Sequence, residues 1–494
     1  MSKMPTLSKK SLFLLLGLSL LQLSLFLWHL DRESLWLDEA LSYVISGGSW
    51  KYLFAFFRSI PIQHPVYYVL LHPWLHIHQS VFSLRAFSVV WAWASLWIFF
   101  RLGLNLVGER VTRIASVLFA LSPFLLYFAQ EGRMYSLLTF LALLNTHYLL
   151  GLGSEGGTTA KWKYFLSSLV GVFTHLYFCF FLGAQFLYFA YQDRLGKTFA
   201  RIFKIQAIVF FFYLPLALYC LTIQEDQPWK GKEYLLTGVP YAFLRFCIGY
   251  SQILANAHWK ENIGLLLKQN ISVLLLSFSA FFPTFLAGII FLRRSGKSGG
   301  LIGSLLFGPM LIAVILSTVK MLFGERYLIF CYPFFALTLA GGLTQLWFGN
   351  PSTEDRHFFF GARSGKFAAA ILAILLAASQ FWSLERYYFD PSFGKEQWHE
   401  VIQNIRRSGV PGDVILLNSD ISRTILQEGQ LPFPILRAEA FQAEDLKQAR
   451  RAWVVISHGR NETQFLHLLR SDWHFTRDEF FPKQSGIRLL LLER

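Results

Sequence analysis

Charged residues are scarce in this chain. They make up 15% of its 494 residues, whereas hydrophobic residues make up 54%. A soluble domain usually has about 25% charged residues. The apolar residues come in long runs, as at 11–30, 205–221 and 271–292, which are close to the roughly 20 residues that cross a bilayer as a helix. Because such runs recur along the whole chain, we predict a polytopic membrane protein rather than a soluble domain on one anchor.

Cysteine and several catalytic motifs are also scarce or absent. The chain has four cysteines at no metal-like spacing, so neither a disulfide framework nor a zinc site is predicted; they are Cys179, Cys220, Cys247 and Cys331. It contains no G-x-x-x-x-G-K-[ST] loop, no H-E-x-x-H and no G-x-S-x-G. These absences argue against an ATP-driven pump, a zinc protease and a hydrolase of the G-x-S-x-G type.

The net charge of +15 reflects 45 Lys and Arg residues against 30 Asp and Glu residues. The basic residues collect in short segments between the apolar runs, as in cytoplasmic loops of membrane proteins, so we expect no nucleic-acid partner. Lys3, Lys9 and Lys10 place the N-terminus in the cytoplasm. No small-x-small cleavage site follows the first run, so we expect it to be retained as a span.

The alternation of basic and less basic loops fits about eleven spans, thirteen at most. The predicted spans lie near 11–30, 82–106, 114–129, 135–151, 163–174, 175–192, 205–223, 271–292, 300–319, 326–346 and 367–383. This topology predicts a multi-pass protein of the plasma (inner) membrane, surrounded by membrane lipid. The long loops 31–81 and 224–270 and the C-terminus then lie outside. Residues 64–77 are apolar but short and contain two prolines, which favours a re-entrant or interfacial piece.

The composition changes near the end of the last apolar run. We therefore predict a transmembrane domain over 1–385 and a soluble extracytoplasmic α/β domain over 386–494. Trp398, Val401, Ile402 and Ile405 share one face of a helix, which Gly409 and Pro411 end. Short apolar runs at 413–417, 453–456 and 487–492 are typical of buried strands, and a helical stretch is expected at 463–469.

The first outer loop contains an acidic pair, Asp38 and Glu39, directly after apolar residues. A carboxylate at the membrane surface can accept a proton from an attacking hydroxyl, which is general-base chemistry. A solvated helix end just outside the bilayer is the alternative for this pair. His64 lies on the same side of the membrane, at a corner stiffened by Pro65.

Three aromatic or histidine positions have a simpler alternative than ligand binding. Tyr67 and Tyr68 suit an interfacial aromatic belt. His175 turns between two closely spaced spans on the outer side, where a histidine with only structural contacts is the alternative.

Arg133 and Arg326 lie at outer ends of spans, where the positive-inside bias disfavours cations, so a function is needed to explain them. Two arginines at this surface can bind a lipid phosphate through paired hydrogen bonds. Each could instead neutralise its neighbouring carboxylate, Glu131 or Glu325.

Taken in order, these segments resemble the GT-C superfamily of membrane glycosyltransferases, especially the bacterial group related to protein O-mannosyltransferases and the lipid A aminoarabinose transferase. The segments that carry the resemblance read WLDE at 36–39, HPVYY at 64–68, SPFLLYFAQEGRMY at 122–135, THLY at 174–177 and RY at 326–327. The tail, with QW at 397–398 and PGDV at 411–414, is similar to the outer α/β domain of these enzymes. Val66 and Gly132 depart from the family pattern, which has proline and alanine there.

The resemblance implies an inverting hexosyl- or pentosyltransferase that uses a polyprenyl-phosphate-linked sugar and a lipid, glycan or protein acceptor. It implies that Asp38 is the general base and that Glu39 positions it or binds the acceptor. Donor phosphate binding falls to Arg133, Arg326 and His64. The remaining substrate-binding residues implied are Tyr67, Gln130, Glu131, Tyr135, His175 and Tyr327. No cofactor is implied with certainty, and a divalent cation stays open because Asp and Glu can bind one, although no ligand set is visible.

Two other functions compete with this interpretation. A polytopic transporter or lipid flippase for a glycolipid or polysaccharide precursor predicts ionisable residues near the membrane midplane, whereas the candidates here gather at the outer boundary. A polysaccharide polymerase or ligase predicts a long late outer loop with arginines and histidines, whereas this chain ends in a predicted folded domain.

Overall fold

The computed structural model describes residues 7–59, 64–153, 157–221, 233–250, 271–319, 323–349, 362–390, 393–418, 420–437, 449–457, 473–483 and 486–494. Its described part is helical as far as Phe389, and strands follow only after that residue. The predicted fold class, a helical membrane bundle with a small C-terminal α/β domain, is confirmed.

The helices are numbered in chain order. They are α1 Lys9–Leu27, α2 Leu37–Gly47, α3 Trp50–Ser59, α4 Pro65–Ile77, α5 Val81–Ala120, α6 Pro123–Ala129, α7 Tyr135–Gly153, α8 Thr158–Thr174, α9 Phe178–Gln192, α10 Lys197–Leu221, α11 Glu233–Ile248, α12 Ile271–Arg294, α13 Gly296–Ser317, α14 Tyr332–Phe348, α15 Ala362–Phe389, α16 Trp398–Ser408 and α17 Asp420–Glu428. A 3₁₀ helix, Glu325–Cys331, leads directly into α14.

Eight helices in the described part of the chain are long and apolar enough to cross a membrane. They match eight of the eleven predicted spans. The other three predicted spans fall on shorter pieces: 114–129 on the end of α5 and on α6, 163–174 on α8, and 175–192 on α9. Residues 64–77, expected to be re-entrant or interfacial, form mainly the 13-residue helix α4, which is too short to cross a bilayer.

Helix α5 is two helical arms joined at Gly108. Ser80 caps its start by accepting a hydrogen bond from the Ser83 N–H, and Gly108 has φ 77° and ψ 173° inside the run. This left-handed φ suits glycine, which has no Cβ to clash with the backbone. The reversal at Gly108 sends the second arm back along the bundle.

The bundle has two distinct ends, which we call the site end, where Asp38 and Glu39 lie, and the basic end, where Arg110 and Arg113 lie. At the site end, the Gln130 amide donates to the carbonyls of Phe26 and Trp28 at the end of α1. At the basic end, Ser11 at the start of α1 hydrogen-bonds Glu109, which follows the reversal in α5. Residues 31–59 and 64–80 therefore lie on the site side of the bundle, whereas the end of α14 and the start of α15 lie on the basic side.

In its described residues, the C-terminal domain is built on a mixed sheet of five strands. The strands are β1 Val414–Leu417, β2 Ile435–Arg437, β3 Arg451–Ser457, β4 His474–Phe481 and β5 Ile487–Glu493. Their order is β2-β1-β3-β5-β4, with β1 parallel to β2 and β3, and with β5 antiparallel to β3 and β4. The three predicted strands and the predicted helix at 398 are present. The helical stretch expected at 463–469 lies outside the described residues.

The C-terminal domain contacts the segment after α1 that contains the acidic pair. Helix α17 packs on α2, where Tyr43 hydrogen-bonds Glu428. The Ser34 hydroxyl donates to the Glu396 carbonyl at 2.9 Å. Helix α2 is thus held between the membrane bundle and the C-terminal domain.

Candidate active site

The two acidic residues of the first turn of α2 point in different directions. Neighbouring residues on a helix are about 100° apart. Glu39 is therefore turned into the bundle, with 0% of its side chain exposed, whereas the Asp38 side chain remains 32% exposed. Both carboxylates are near the N-terminus of the helix, where the helix dipole favours negative charge.

Glu39 is surrounded by hydrogen-bond donors. Arg85 binds both of its oxygens, with Nε 2.9 Å from Oε1 and Nη2 2.8 Å from Oε2. The Lys395 Nζ donates to Oε1 at 2.6 Å, and the backbone N–H of Gly132 does so at 2.8 Å. One buried carboxylate thus joins α2, α5, the turn before α7 and the segment that enters the C-terminal domain.

The charges around Glu39 determine its protonation. Burial alone would raise the pKa of Glu39, but Arg85 and Lys395 outweigh burial and lower the pKa to about 2. Burial and the charge of Arg85 lower the pKa of Lys395, although Glu39 opposes this. Glu39 is therefore ionised at neutral pH and is already fully engaged by protein donors, which suits a residue that positions its neighbours.

Arg85 and Lys395 also fix the loop in front of α2. Arg85 donates to the carbonyls of Leu30, Glu33 and Ser34 at 2.8 to 3.0 Å. Lys395 Nζ donates to the Gln130 carbonyl at 3.0 Å, and its backbone N–H donates to Glu33 Oε2 at 2.7 Å. The start of α2, and with it Asp38, is consequently held in one place.

Arg133 contacts the exposed acid. Its Nη2 lies 3.9 Å from Asp38 Oδ2, and its Nη1 donates to the Asp38 carbonyl at 3.2 Å. The same Nη1 contacts the hydroxyls of Ser42 at 3.1 Å and Tyr68 at 3.2 Å. Arg133 is only 6% exposed, so it is a nearly buried cation beside a partly exposed carboxylate.

His64 joins this cluster through Tyr68. Its Nε2 lies 3.1 Å from the Tyr68 hydroxyl, and its ring stacks near that of His175, with the ring centroids 6.5 Å apart. Burial and the nearby charge of Arg133 hold the pKa of His64 well below its usual value. His64 is therefore a neutral imidazole at neutral pH, and it can offer a phosphate a hydrogen bond but not a positive charge.

An aromatic row leads from His64 to the second arginine. The Tyr327 ring lies 4.9 Å from the rings of both His175 and Tyr177, and 6.4 Å from that of Tyr135, between centroids. Arg326 precedes Tyr327, and its guanidinium lies 5.9 Å from the centre of the Trp36 ring. The structure thus brings the predicted residues of five separate segments to one end of the bundle.

Within the described residues, neither arginine forms a salt bridge with the carboxylate beside it in the sequence, but the charge of Glu325 acts on Arg326. Arg133 pairs with Asp38 at 3.9 Å, and its backbone N–H donates to the Glu131 carbonyl at 2.7 Å. Glu325 accepts a hydrogen bond from the Tyr250 hydroxyl at 3.1 Å. Within the described residues, no carboxylate forms an ion pair with Arg326.

Glu131 is buried without full hydrogen bonding. It is 1% exposed, and its Oε1 has no hydrogen-bond partner among the described residues. Burial raises the pKa of Glu131 to about 7, despite the opposing charge of Lys395. A carboxyl of this kind can exchange a proton near neutral pH or accept a hydrogen bond from a ligand hydroxyl.

Two predicted substrate-binding residues are engaged inside the protein. Both N–H groups of the Gln130 amide are used at the end of α1, and its Oε1 accepts from the Tyr387 hydroxyl at 2.8 Å. Tyr67 is 0% exposed and packs on Tyr68. Both side chains are nearly fully buried, as are those of Glu131 and Tyr135, and Gln130 also lines a small pocket beside Lys395.

Comparison with solved structures identifies the fold of the chain, whereas comparison of sequences finds no match. No family model matches the chain, and no curated protein matches it by sequence. The chain is similar in structure to ArnT from Cupriavidus metallidurans bound to undecaprenyl phosphate, with a TM-score of 0.55, 10% identity and 98% of each chain covered. It is also similar to the oligosaccharyltransferase of Archaeoglobus fulgidus tethered to an acceptor peptide, with a TM-score of 0.51, 12% identity, and coverage of 91% of this chain and 69% of that one.

The chain has a GT-C fold. This agrees with the resemblance drawn from its ordered motifs. At such low identity, the likeness concerns the fold alone.

Two important residues of this candidate site, Arg85 and Lys395, were not found from the sequence. The sequence did contain a signal for Arg85, because a cation within an apolar span marks a functional or structural site by default. The sequence contained no such signal for Lys395, since it is separated by 356 residues from the glutamate that it binds. Among the described residues, no group of three His, Cys, Asp or Glu side chains could hold a metal ion.

Proposed function

We propose that this protein is an inverting glycosyltransferase that moves a monosaccharide from a polyprenyl-phosphate donor to an acceptor, with Asp38 as general base. The observation that carries the proposal is the contrast between the two acids of α2. Glu39 is saturated with donors, whereas Asp38 is partly exposed and only 3.9 Å from Arg133. This leaves Asp38 able to accept a proton.

The proposed reaction is a single displacement. The acceptor oxygen attacks the anomeric carbon while the bond from that carbon to the phosphate oxygen breaks, and the bonding electrons leave with the phosphate. Asp38 takes the proton of the acceptor hydroxyl. One displacement without a covalent sugar intermediate inverts the anomeric configuration.

The leaving group needs charge stabilisation more than a proton, because it is already a phosphate. Arg133 and Arg326 are proposed to supply that charge, with His64 as a neutral hydrogen-bond donor. Fixed donors in a site shielded from water stabilise developing charge effectively. The undecaprenyl phosphate bound to ArnT, which has the same fold, supports a lipid phosphate as the donor group.

The aromatic row is proposed to receive the sugar and the acceptor. The rings of Tyr135 and His175 lie 6.4 and 4.9 Å from that of Tyr327, between centroids, and Glu131 can bind a hydroxyl with its free oxygen. The proposal covers hexosyl and pentosyl donors, and a lipid, glycan or protein acceptor. We place this end of the bundle outside the plasma (inner) membrane, because the basic loops then face the cytoplasm.

The alternative is a transporter or lipid flippase for a glycolipid or polysaccharide precursor. That function favours ionisable groups near the middle of the membrane. In this chain the buried ionisable cluster, Glu39, Arg85, Lys395 and Arg133, lies at one end of the bundle. The placement favours chemistry at a membrane surface over passage through the bilayer.

A proteoliposome experiment separates the two functions. The purified protein is reconstituted with a panel of radiolabelled polyprenyl-phosphate sugars and candidate acceptors, and both free polyprenyl phosphate and the leaflet of the intact donor are measured. We expect release of polyprenyl phosphate with one donor, together with a glycosylated product. Movement of intact donor between leaflets without any release would support the flippase and contradict the transferase.

A further inference from the structure

A groove of about 550 Å³ opens at the basic end of the bundle. Val81, at the start of α5, is near the site, because Arg85 one turn later binds Glu39. The first arm of α5 then runs for roughly 40 Å, at about 1.5 Å per residue, before it reverses at Gly108. The groove lies beyond that reversal, at the opposite end of the bundle from the proposed active site.

The walls of the groove are apolar and come from four helices. The lining residues come from α1, the second arm of α5, α14 and α15; they include Leu14, Val117, Leu343, Trp347, Ala369 and Ala373. Three alanines of α15 form one wall, and their small side chains leave room for a chain of methylene groups. A volume of this size is within the range of about 300 to 1,000 Å³ that is typical of ligand pockets.

Two arginines lie at the same groove. Arg110 is exposed, and its guanidinium carbon lies 4.0 Å from the centre of the Phe348 ring. Arg113 follows one turn later and also lines the groove. Nearby Glu109 hydrogen-bonds the hydroxyls of Ser8 and Ser11. Within the described residues, no salt bridge joins Glu109 to either arginine.

We propose that this groove binds an anionic phospholipid from the leaflet at the basic end, with an acyl chain along the alanine wall and the phosphate at Arg110 and Arg113. Two features of the groove indicate this lipid. The apolar groove suits a hydrocarbon chain, and the guanidinium groups match phosphate oxygens in geometry and charge. This lipid site is separate from the donor site, so it does not depend on the proposed function.

Native mass spectrometry of the purified full chain tests the site. The probes are phosphatidylglycerol and phosphatidylcholine with the same acyl chains, added at matched concentrations. We expect phosphatidylglycerol to bind more tightly to the wild type. Removal of both arginines, by Arg110→Ala with Arg113→Ala, should weaken phosphatidylglycerol binding about thirtyfold, since each basic residue near an anionic lipid changes affinity by about fivefold.

A second pair of variants separates the groove from general charge and shape effects. Ala370→Phe fills the groove and should reduce binding of both lipids, and Ala373→Phe serves if the first variant does not fold. The matched controls are Arg293→Ala with Lys297→Ala, which removes two exposed charges from another basic loop, and Ala377→Phe, which adds a ring to an exposed position of α15 outside the groove lining. These controls should bind both lipids as the wild type does.

Several results would overturn the proposal. Equal binding of the two lipids by the wild type would show that the charge of the headgroup does not contribute to binding. If the arginine double variant and its control lose the same affinity for phosphatidylglycerol, Arg110 and Arg113 do not belong to the site. Unchanged lipid binding in both folded phenylalanine variants shows that the groove is not the binding site. A dimer that forms through this face and releases no lipid assigns the groove to a second copy of the chain.

Discussion

Lys395 Nζ lies 2.6 Å from Glu39 Oε1, and both side chains are almost completely buried. This ion pair connects the segment that enters the C-terminal domain to the helix that carries Asp38. Because Arg85 holds the other side of the same carboxylate, the position of Asp38 depends on three distant parts of the chain.

Replacing Lys395 should therefore damage catalysis as well as stability. Lys395→Met leaves a buried carboxylate with one cation fewer, and breaking a buried ion pair typically costs about 3 to 5 kcal/mol. We expect the turnover number to fall at least tenfold while KM for the donor changes less. Lys395→Arg should restore part of the rate, since a guanidinium can still donate to Glu39.

Steady-state kinetics of protein that elutes as a single folded species provide the measurement. Lys483→Met is the matched control in the C-terminal domain, and it should behave as the wild type does. If Lys395→Met keeps its turnover number and loses only thermal stability, the pair holds the fold without positioning Asp38.

The buried carboxyl of Glu131 predicts a pH dependence. Its pKa is about 7 in the folded protein against an ordinary value of 4.5, so the folded state holds this proton more tightly. That contribution to stability is fully present below about pH 4.5 and is lost as the pH rises through 7. Glu131→Gln removes the dependence, and near pH 9 the variant should be more stable by about 3 kcal/mol.

Thermal unfolding of both proteins between pH 4.5 and 9 measures this effect. Glu385→Gln changes an exposed carboxyl and should leave the pH profile of the wild type unaltered. Parallel profiles for the wild type and Glu131→Gln would show that folding leaves the pKa of Glu131 unchanged.

Gly132 stands where the family pattern has alanine, and the structure gives a reason. A Cβ at this position would lie 2.5 Å from Leu84 Cγ, while the N–H of Gly132 donates to Glu39. Gly132→Ala should lower the free energy of unfolding by about 1 to 3 kcal/mol through overpacking. It should also lower the rate of transfer by displacing Glu39.

A double-mutant cycle tests that cause. Leu84→Ala alone also destabilises by leaving a cavity, but it makes room for the new methyl group. The double variant should therefore be more stable than the sum of the two single changes predicts. Additive losses would mean that the clash with Leu84 is not what glycine avoids.

Buried amides hold four helices together away from the site. Asn145 of α7 donates to Ser167 and Ser168 of α8 and accepts from Gln185 of α9, and Gln206 of α10 joins through Tyr164. Asn145→Leu should lower the melting temperature, because hydrogen bonds between membrane helices contribute about 1 kcal/mol each. Asn105→Leu, at an exposed position of α5, is the control.

This network is remote from the proposed chemistry, so the rate of transfer per folded molecule should stay close to that of the wild type. A large loss of rate in folded Asn145→Leu would place the network in the functional cycle.

The sequence predicted the features that depend on local patterns. Apolar runs marked the spans, and short buried runs marked β1, β3 and β5. Strand β2 has only three residues, and β4 is largely exposed, so neither shows a buried apolar run. The loop charges and ordered motifs placed Asp38, His64, Arg133 and Arg326 at one surface, because topology constrains which loops lie together.

The contacts inside the site could not be read from the sequence in the same way. The pairing of Glu39 with Lys395 spans 356 residues, and nothing local to either residue indicates the other. The sequence also could not show that Asp38 and Glu39 separate into an exposed and a buried acid. That division depends on how α2 packs between the bundle and the C-terminal domain.

Single-turnover transfer from a polyprenyl-phosphate sugar, compared between wild type and Asp38→Asn, tests the central claim most directly. The variant should bind the donor as tightly as the wild type and transfer its sugar at least a hundredfold more slowly, since general-base catalysis contributes roughly 10² to 10⁴ in rate. Asp31→Asn, in the same loop, should retain the wild-type rate. Transfer by folded Asp38→Asn at the wild-type rate would contradict the assignment of Asp38 as the base.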